Sequence, residues 1–378
     1  MENKPILETI LKNRQANELT KFNPAFLVSS LFKVLSDREQ EVLKKRHALD
    51  GHAKYTLERI GQDLNVTRER VRQIELAAIR KLKALPEFEA QVNPAEKVVN
   101  YVLESHGGLM EHQHLLENLL EYSGDSHTHK SSASFVLSQL LSDRFHFIEN
   151  HDHLHPSWKV VSASENDAMA TVNHLVNVIE SKSEPVPHSL LLSALADKGH
   201  NLEERVVLAR LRASKKIKNN VFGHWGLASW NTITPKRMND KIFLVLKEHG
   251  KPLHFTDIAK RINEMKFDAK VAYPATVHNE LILDKKYVLV GRGIYALADW
   301  GYKKGVVADV ICDIMNSAGR PMSRDEIVEA VLKQRMVGKT TIHLALMNKS
   351  RFTRTPEGKF VVAQNLSENL AGQKTEVA

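Results

Sequence analysis

Four segments of the chain fall into register without gaps over about twenty positions when Met110, Val186, Leu253 and Met322 are aligned, at intervals of 76, 67 and 69 residues. Apolar columns coincide on both sides of these anchors. Eleven residues upstream stand Val99, Leu175, Ile242 and Ile311; eight upstream Val102, Val178, Val245 and Ile314; seven upstream Leu103, Ile179, Leu246 and Met315. Such spacing places one face of a helix inward. Downstream, Leu115, Leu191, Ile258 and Ile327 lie five residues on, and Leu119, Leu195, Ile262 and Val331 nine on, marking a second amphipathic helix. Between the two helices each copy has a breaker: Gly107-Gly108, Glu184-Pro185, Gly250-Lys251-Pro252 and Gly319-Arg320-Pro321.

Each copy continues into a third helical stretch and a β-rich segment broken by turn residues, over 145–161, 221–230, 287–300 and 352–363. Three helices and a hairpin in that order are the winged-helix arrangement, and a unit of about 65 residues can just support its own core. The expected domains are winged helices over 94–162, 168–234, 236–303 and 304–364, with polar joints at 162–167 and 232–235. A helix-turn-helix over 25–90 precedes them, a helical extension over 1–24 leads in, and a disordered tail over 365–378 closes the chain. The fold class expected is mainly α with small β-hairpins, α+β.

Within 57–85 the sequence reads as two helices around a tight turn. Leu57, Ile60 and Leu64 form the inner face of the first, Gly61 permits close approach, and Leu64-Asn65-Val66 makes the turn. Thr67 then caps a second helix on which Val71, Ile74, Ala78, Leu82 and Leu85 face the core. At about 100° per residue, Glu69, Gln73, Leu76 and Arg80 project from the opposite side, flanked by Arg72 and Ala77, with Arg68 at the helix start. The whole chain carries a net charge of +8 and a pI near 9.3, which favours an anionic partner. Half of that excess sits here: positions 67–83 hold six Lys or Arg against two Glu.

The residue types fit base reading. Arg can donate two hydrogen bonds to guanine, Gln can pair with an adenine edge, and Glu can accept from cytosine, each worth roughly 1 to 3 kcal/mol of discrimination. Thr67, Arg70, Arg72, Arg80 and Lys81 are placed at the DNA backbone, where contacts position the helix without reading sequence. The bland alternative is a solvated charged face; turn, cap, charge and core stripe agree against it.

The runs Leu35-Ser36-Asp37-Arg38-Glu39-Gln40-Glu41-Val42-Leu43, Tyr55-Thr56-Leu57 and Val66-Thr67-Arg68-Glu69-Arg70-Val71-Arg72-Gln73-Ile74-Glu75, with Arg80-Lys81-Leu82, resemble region 4 of housekeeping sigma factors over about a sixth of the chain. By this resemblance Arg68, Glu69 and Gln73 would read bases of a promoter minus-35 element, and the surrounding region would contact the β flap of RNA polymerase. The segment departs from the family at Arg59, where an acid is usual, and at Ala77, where a basic residue is common. With 24 residues ahead of the region, the chain is not expected to initiate transcription alone.

The third repeat, in Lys251-Pro252-Leu253-His254-Phe255-Thr256-Asp257-Ile258 and Gly293-Ile294-Tyr295-Ala296-Leu297-Ala298-Asp299-Trp300, resembles the HARE-type winged helix, the module of the delta subunit of bacterial RNA polymerase. The second repeat shares that ending in Trp225-Gly226-Leu227-Ala228-Ser229-Trp230. Together the resemblances imply a bacterial, cytoplasmic, nucleoid-associated DNA-binding transcription protein whose partners are double-stranded DNA and RNA polymerase. Two rival readings are an accessory, delta-like polymerase subunit and the DNA-binding arm of a restriction or defence system.

A second DNA contact is suggested by Arg205, Arg210, Arg212, Lys215, Lys216 and Lys218, a basic run without an acid. Nine histidines between His106 and His155 lack the cysteines or regular spacing of a zinc site, so no metal is expected. The run from Gly291 to Ala296 imitates a dinucleotide fingerprint but falls inside an expected hairpin, and Gly338-Lys339-Thr340 lacks the first glycine of a phosphate loop. No nucleophile with a base and an orienting acid can be picked out, so no catalytic residues, cofactor or small-molecule ligand are expected. The single cysteine, Cys312, cannot form an internal disulfide, and neither a signal peptide nor a membrane span is evident.

Overall fold

The computed structural model describes residues 22–121, 127–199, 201–302, 305–335 and 337–363. The expected tail and nearly all of the expected N-terminal extension lie outside them. Among the described residues the fold is mainly helical with small antiparallel sheets, divided into two compact units, 1–229 and 230–378.

The first unit opens with α1 (Pro24–Leu31), capped by the Asn23 side chain and started by a proline where its missing N–H is harmless. A 3-10 turn (Phe32–Val34) leads to α2 (Asp37–His47), whose start is fixed by a capping box between Ser36 and Glu39. Helices α3 (Leu57–Asp63) and α4 (Arg68–Lys83) follow, each begun by a threonine hydroxyl that accepts a backbone N–H. The turn between them puts Asn65 at φ +52°, the left-handed region that asparagine tolerates. Gly61 is required nearby: a Cβ there would lie 2.7 Å from the Val66 carbonyl oxygen.

Helix α5 (Phe88–Ser105) corrects one boundary. The joint expected between residues 90 and 94 falls inside this one continuous helix, with Pro94 within it. Its apolar face joins two groups into a single core: Leu31, Phe32, Leu43, Ala78 and Leu82 from the helix-turn-helix segment, and Met110, Leu115, Leu137 and Trp158 from the first repeat. Strand β1 (Leu109–Glu111), α6 (His112–Leu120), α7 (His127–Phe135) with a wider turn at Val136–Leu140, and the hairpin β2 (His146–Ile148) and β3 (Ser157–Lys159) complete that repeat. The second repeat contains α8 (Glu165–Lys182), α9 (His188–Ala196), α10 (Glu204–Ala213), β4 (Ile217–Asn219) and β5 (Trp225–Leu227). Its hairpin thus begins upstream of the expected 221, and Lys218 sits on a strand.

The second unit repeats the order twice. First come α11 (Met238–His249), β6 (Leu253–His254), α12 (Phe255–Met265), α13 (Pro274–Leu283), β7 (Tyr287–Gly291) and β8 (Ile294–Leu297). Then come α14 (Val307–Ala318), α15 (Arg324–Gln334), α16 (Lys339–Leu346), β9 (Phe352–Arg354) and β10 (Phe360–Val362). The fingerprint-like run lies across the β7–β8 hairpin, and Gly293 has φ +68° with no room for a Cβ beside His254.

The aligned columns are the cores. All twenty-four aligned positions are buried except Val178, which is half-buried. Each anchor also makes the same pairing: Met110 lies opposite Trp158, Val186 opposite Trp225, Leu253 opposite Tyr295 and Met322 opposite Phe360, always antiparallel and always against an aromatic of the second hairpin strand. An anchor strand held against a large ring closes each hairpin onto its helices. Successive repeats within a unit are locked by a buried arginine. Arg210 donates to the carbonyls of Gly107 and Leu109, at 2.7 and 2.8 Å, and Arg335 to those of Leu289 and Gly305, at 2.7 and 2.6 Å.

Candidate nucleic-acid interface

Helix α4 is seated by its apolar stripe. Val71, Ile74, Ala78 and Leu82 are buried and Leu85 packs partly buried against the same interior, so the opposite face must point outward. On that face Arg68, Glu69, Arg70, Arg72, Gln73, Leu76, Ala77 and Arg80 are all exposed, with Thr67 and Lys81 at its margins. Among the described residues no neighbouring element covers the row Arg68, Glu69 and Gln73.

The row is linked by its own side chains. Arg72 grips the Glu69 carboxylate with two donors at 2.9 and 2.7 Å, Gln73 donates weakly to Glu69 at 3.5 Å, and Arg70 donates to the Gln73 carbonyl oxygen at 3.3 Å. The hydrogen bond from Arg72 holds the Glu69 carboxyl below the usual range and raises the guanidinium of Arg72 in turn. An ion pair this exposed is weak, so either partner can exchange it for a ligand group. Arg72, expected at a phosphate, thus begins from a fork with Glu69, and Thr67 is occupied as the helix cap. Arg68 and Arg80 are exposed ahead of and beyond this network, on a face where positive charge predominates. Chemically the face offers guanidinium and amide donors, a carboxylate acceptor and small apolar patches, the groups that complement base edges and phosphates.

Contacts beneath the face hold it in place, and spacing along the sequence could not show them. Glu75, on the flank of α4, meets His47 at 3.1 Å and Arg46 at 3.7 Å on α2. Burial works to raise the Glu75 carboxyl, but the His47 hydrogen bond and the charges of His47, Arg46 and Lys54 outweigh it and the net shift is downward. Lys81 reaches Glu39 at 3.3 Å, and Lys83 reaches Asp143 at 2.7 Å, fastening the helix end to the first repeat.

The basic run of the second repeat is not one surface. Arg210 is 6% exposed, and its guanidinium is consumed by main-chain carbonyls of the first repeat. It is therefore not a nucleic-acid contact: a guanidinium buried in protein and turned onto main-chain carbonyls is not presented to a phosphate. Burial lowers its pKa to about 10. Arg205 pairs with Glu203, Arg212 with Glu117 at 2.8 Å, and Lys215 donates to the His151 carbonyl at 2.7 Å. Lys216 and Lys218 remain exposed on and beside the hairpin.

Four of the clustered histidines have structural contacts. Trp158 donates its indole N–H to His112 at 2.9 Å, His151 accepts from the backbone of His153 and Leu154, and His106 stacks edge-on against His114. Among the described residues no group of three His, Cys, Asp or Glu is placed to hold a metal ion, and no helix is long and apolar enough to cross a membrane.

Comparison with known proteins falls on this same segment. The family model for sigma-70, region 4, matches residues 31–84. The RNA polymerase sigma factor SigA of Microcystis aeruginosa is 52% identical over 56 residues, 15% of this chain and 14% of that protein. SigA of Nostoc sp. is 59% identical over 49 residues, 13% of each, and the sigma factor RpoD of Helicobacter pylori is 50% identical over 58 residues, 15% of this chain and 9% of that protein. The similarity thus spans a small part of these relatives and leaves the four repeats outside it.

Proposed function

We propose that this chain is a sequence-specific DNA-binding transcription protein that recognises a promoter minus-35-like element through α4 and acts with RNA polymerase in initiation or its regulation. The observation that carries the reading is the uncovered row Arg68, Glu69 and Gln73 on a helix seated by the segment that matches sigma-70 region 4. In this reading those three side chains meet base edges, and Arg70, Arg72, Arg80 and Lys81 position the helix on phosphates. The β flap of the polymerase is the partner of the surrounding helices, and the four repeats, taken as winged helices of which the second and third resemble the HARE type, extend the contact or recruit partners. The protein works at the nucleoid by binding, without turning over a substrate.

Selection of preferred sites from randomised duplexes tests this. The parent chain should return a defined motif, and Gln73→Ala should lose preference at one base position, a discrimination of roughly 1 to 3 kcal/mol. Arg80→Ala should weaken all sequences alike and reduce the salt slope by about 1. An unchanged preference in Gln73→Ala would show that the readout is assigned to the wrong face.

A further inference from the structure

The four repeats carry an equivalent surface, the third helix with its adjoining hairpin, and the structure disposes of each differently. In the first, α7 is pressed onto the helix-turn-helix segment, with Phe135 buried against Phe32 and His47 at ring separations of 5.8 and 4.9 Å. In the second, α10 is plugged into the first repeat by Arg210. In the third, α13 presents Tyr273, Ile282 and Leu283 beside Glu280 and Asp284 and itself carries no Lys or Arg. In the fourth this surface is open, and both its helix and its hairpin carry exposed basic residues.

There, α16 and the β9–β10 hairpin flank a cleft of about 710 Å³ lined by, among others, Arg324, His343, Met347, Lys349, Phe352 and Arg354. No acid occurs between positions 338 and 355, and the exposed carboxylates Asp325 and Glu357 do not line the cleft. Arg351 is neutralised by Asp309, but Lys349 and Arg354 have no carboxylate partner among the described residues. The exposed face of α16 (Lys339, Thr340, Thr341 and Leu344) likewise carries no acid.

We infer that this cleft and the exposed face of α16 bind double-stranded DNA, as a second contact that goes beyond the α4 reading and does not depend on it. The basic groups sit on separate elements: Arg324, in a long and exposed pair with Asp325, at the start of α15, Lys349 after α16 and Arg354 on β9, with the His343 ring on α16 between them as a hydrogen-bonding group. Arg324, Lys349 and Arg354, held on three stretches of chain around the cleft, offer positive charge to successive phosphates of a backbone. An acid-free helix about 10 to 12 Å across fits a major groove about 12 Å wide, and its threonines and leucine suit hydroxyl and thymine-methyl contacts. With no internal counter-charge to displace, Lys349 and Arg354 gain from releasing the counterions of DNA.

The test uses the full chain, a random-sequence duplex and fluorescence anisotropy over a salt series. Lys349→Glu with Arg354→Glu should weaken binding about tenfold or more and remove about 1.8 from the log-log salt slope, with the ranking of specific sites unchanged. The same losses should recur in a Gln73→Ala background, which separates this contact from α4. The charge-keeping pair Lys349→Arg with Arg354→Lys should bind like the parent. Unchanged affinity and slope in the reversal variant would overturn the inference. So would equal loss in the charge-keeping pair, which would trace the effect to packing, or loss of binding to polyglutamate alone, which would make the partner an acidic peptide.

Discussion

Arg210→Met probes how the first two repeats are joined. The substitution leaves most of the stem and removes a guanidinium that donates to Leu109 at 2.8 Å, Gly107 at 2.7 Å and, at the long limit of 3.5 Å, His106. Two carbonyls are orphaned, at about 1 to 3 kcal/mol each. Part of this is offset, because a cation that burial pushes down to about 10 is no longer held away from water without a carboxylate beside it. The hydrogen bonds should win, leaving a net loss of about 2 to 4 kcal/mol, the range in which a buried polar network fails when one partner is removed. For a unit of this size that lowers the unfolding midpoint by roughly 5 to 15 °C, read by calorimetry on the full chain. Arg210→Lys, with a point charge in place of a planar fork, should fall between the two. At temperatures where both proteins are folded, Arg210→Met should leave the salt dependence of DNA binding untouched. An unchanged or raised midpoint would show that desolvation outweighs the hydrogen bonds, and a salt slope reduced by about 1 would put the guanidinium on DNA after all.

His114 is buried, and desolvation, followed by the charges of Arg212 and His106, lowers its pKa from 6.5 to about 4. The unfolded chain therefore binds the proton more readily, so stability falls as pH drops from 6.5 towards 4, by up to about 3 kcal/mol, and His114→Gln should flatten that part of a midpoint-against-pH curve. Glu75 acts through the opposite kind of group: its carboxyl lies below the ordinary 4.5, so its contribution is complete above that pH and is lost at more acid values. Urea titrations should show Glu75→Gln less stable than the parent at neutral pH and converging with it in acid; a constant difference would mean that its ion pairs do not matter. Gly61→Ala places a Cβ 2.7 Å from the Val66 carbonyl and should cost about 1 to 3 kcal/mol in denaturant midpoint, with DNA binding weakened through the displaced turn.

Local rules made much of this legible in advance. The α4 stripe, the Thr67 cap and the turn at Asn65 are set by residues within a few positions of one another, so periodicity and capping chemistry suffice to place the exposed row. The repeat register was readable for the same reason, since burial in each copy follows helical spacing about its anchor. The boundary expected near residue 90 falls instead inside a helix, because Val92, Ala95 and Val99 carry one buried helical face through it.

The sequence by itself determined the register of the apolar columns and which face of α4 is polar, because these depend on neighbours along the chain. The tertiary structure alone decided which polar groups stay available. Arg210 and Arg80 are both arginines in basic helices; one is enclosed by carbonyls a hundred residues away, and the other faces water. Pairings such as Glu75 with His47, and each anchor with its aromatic, join positions far apart in sequence, and no periodicity along the chain records who meets across a fold.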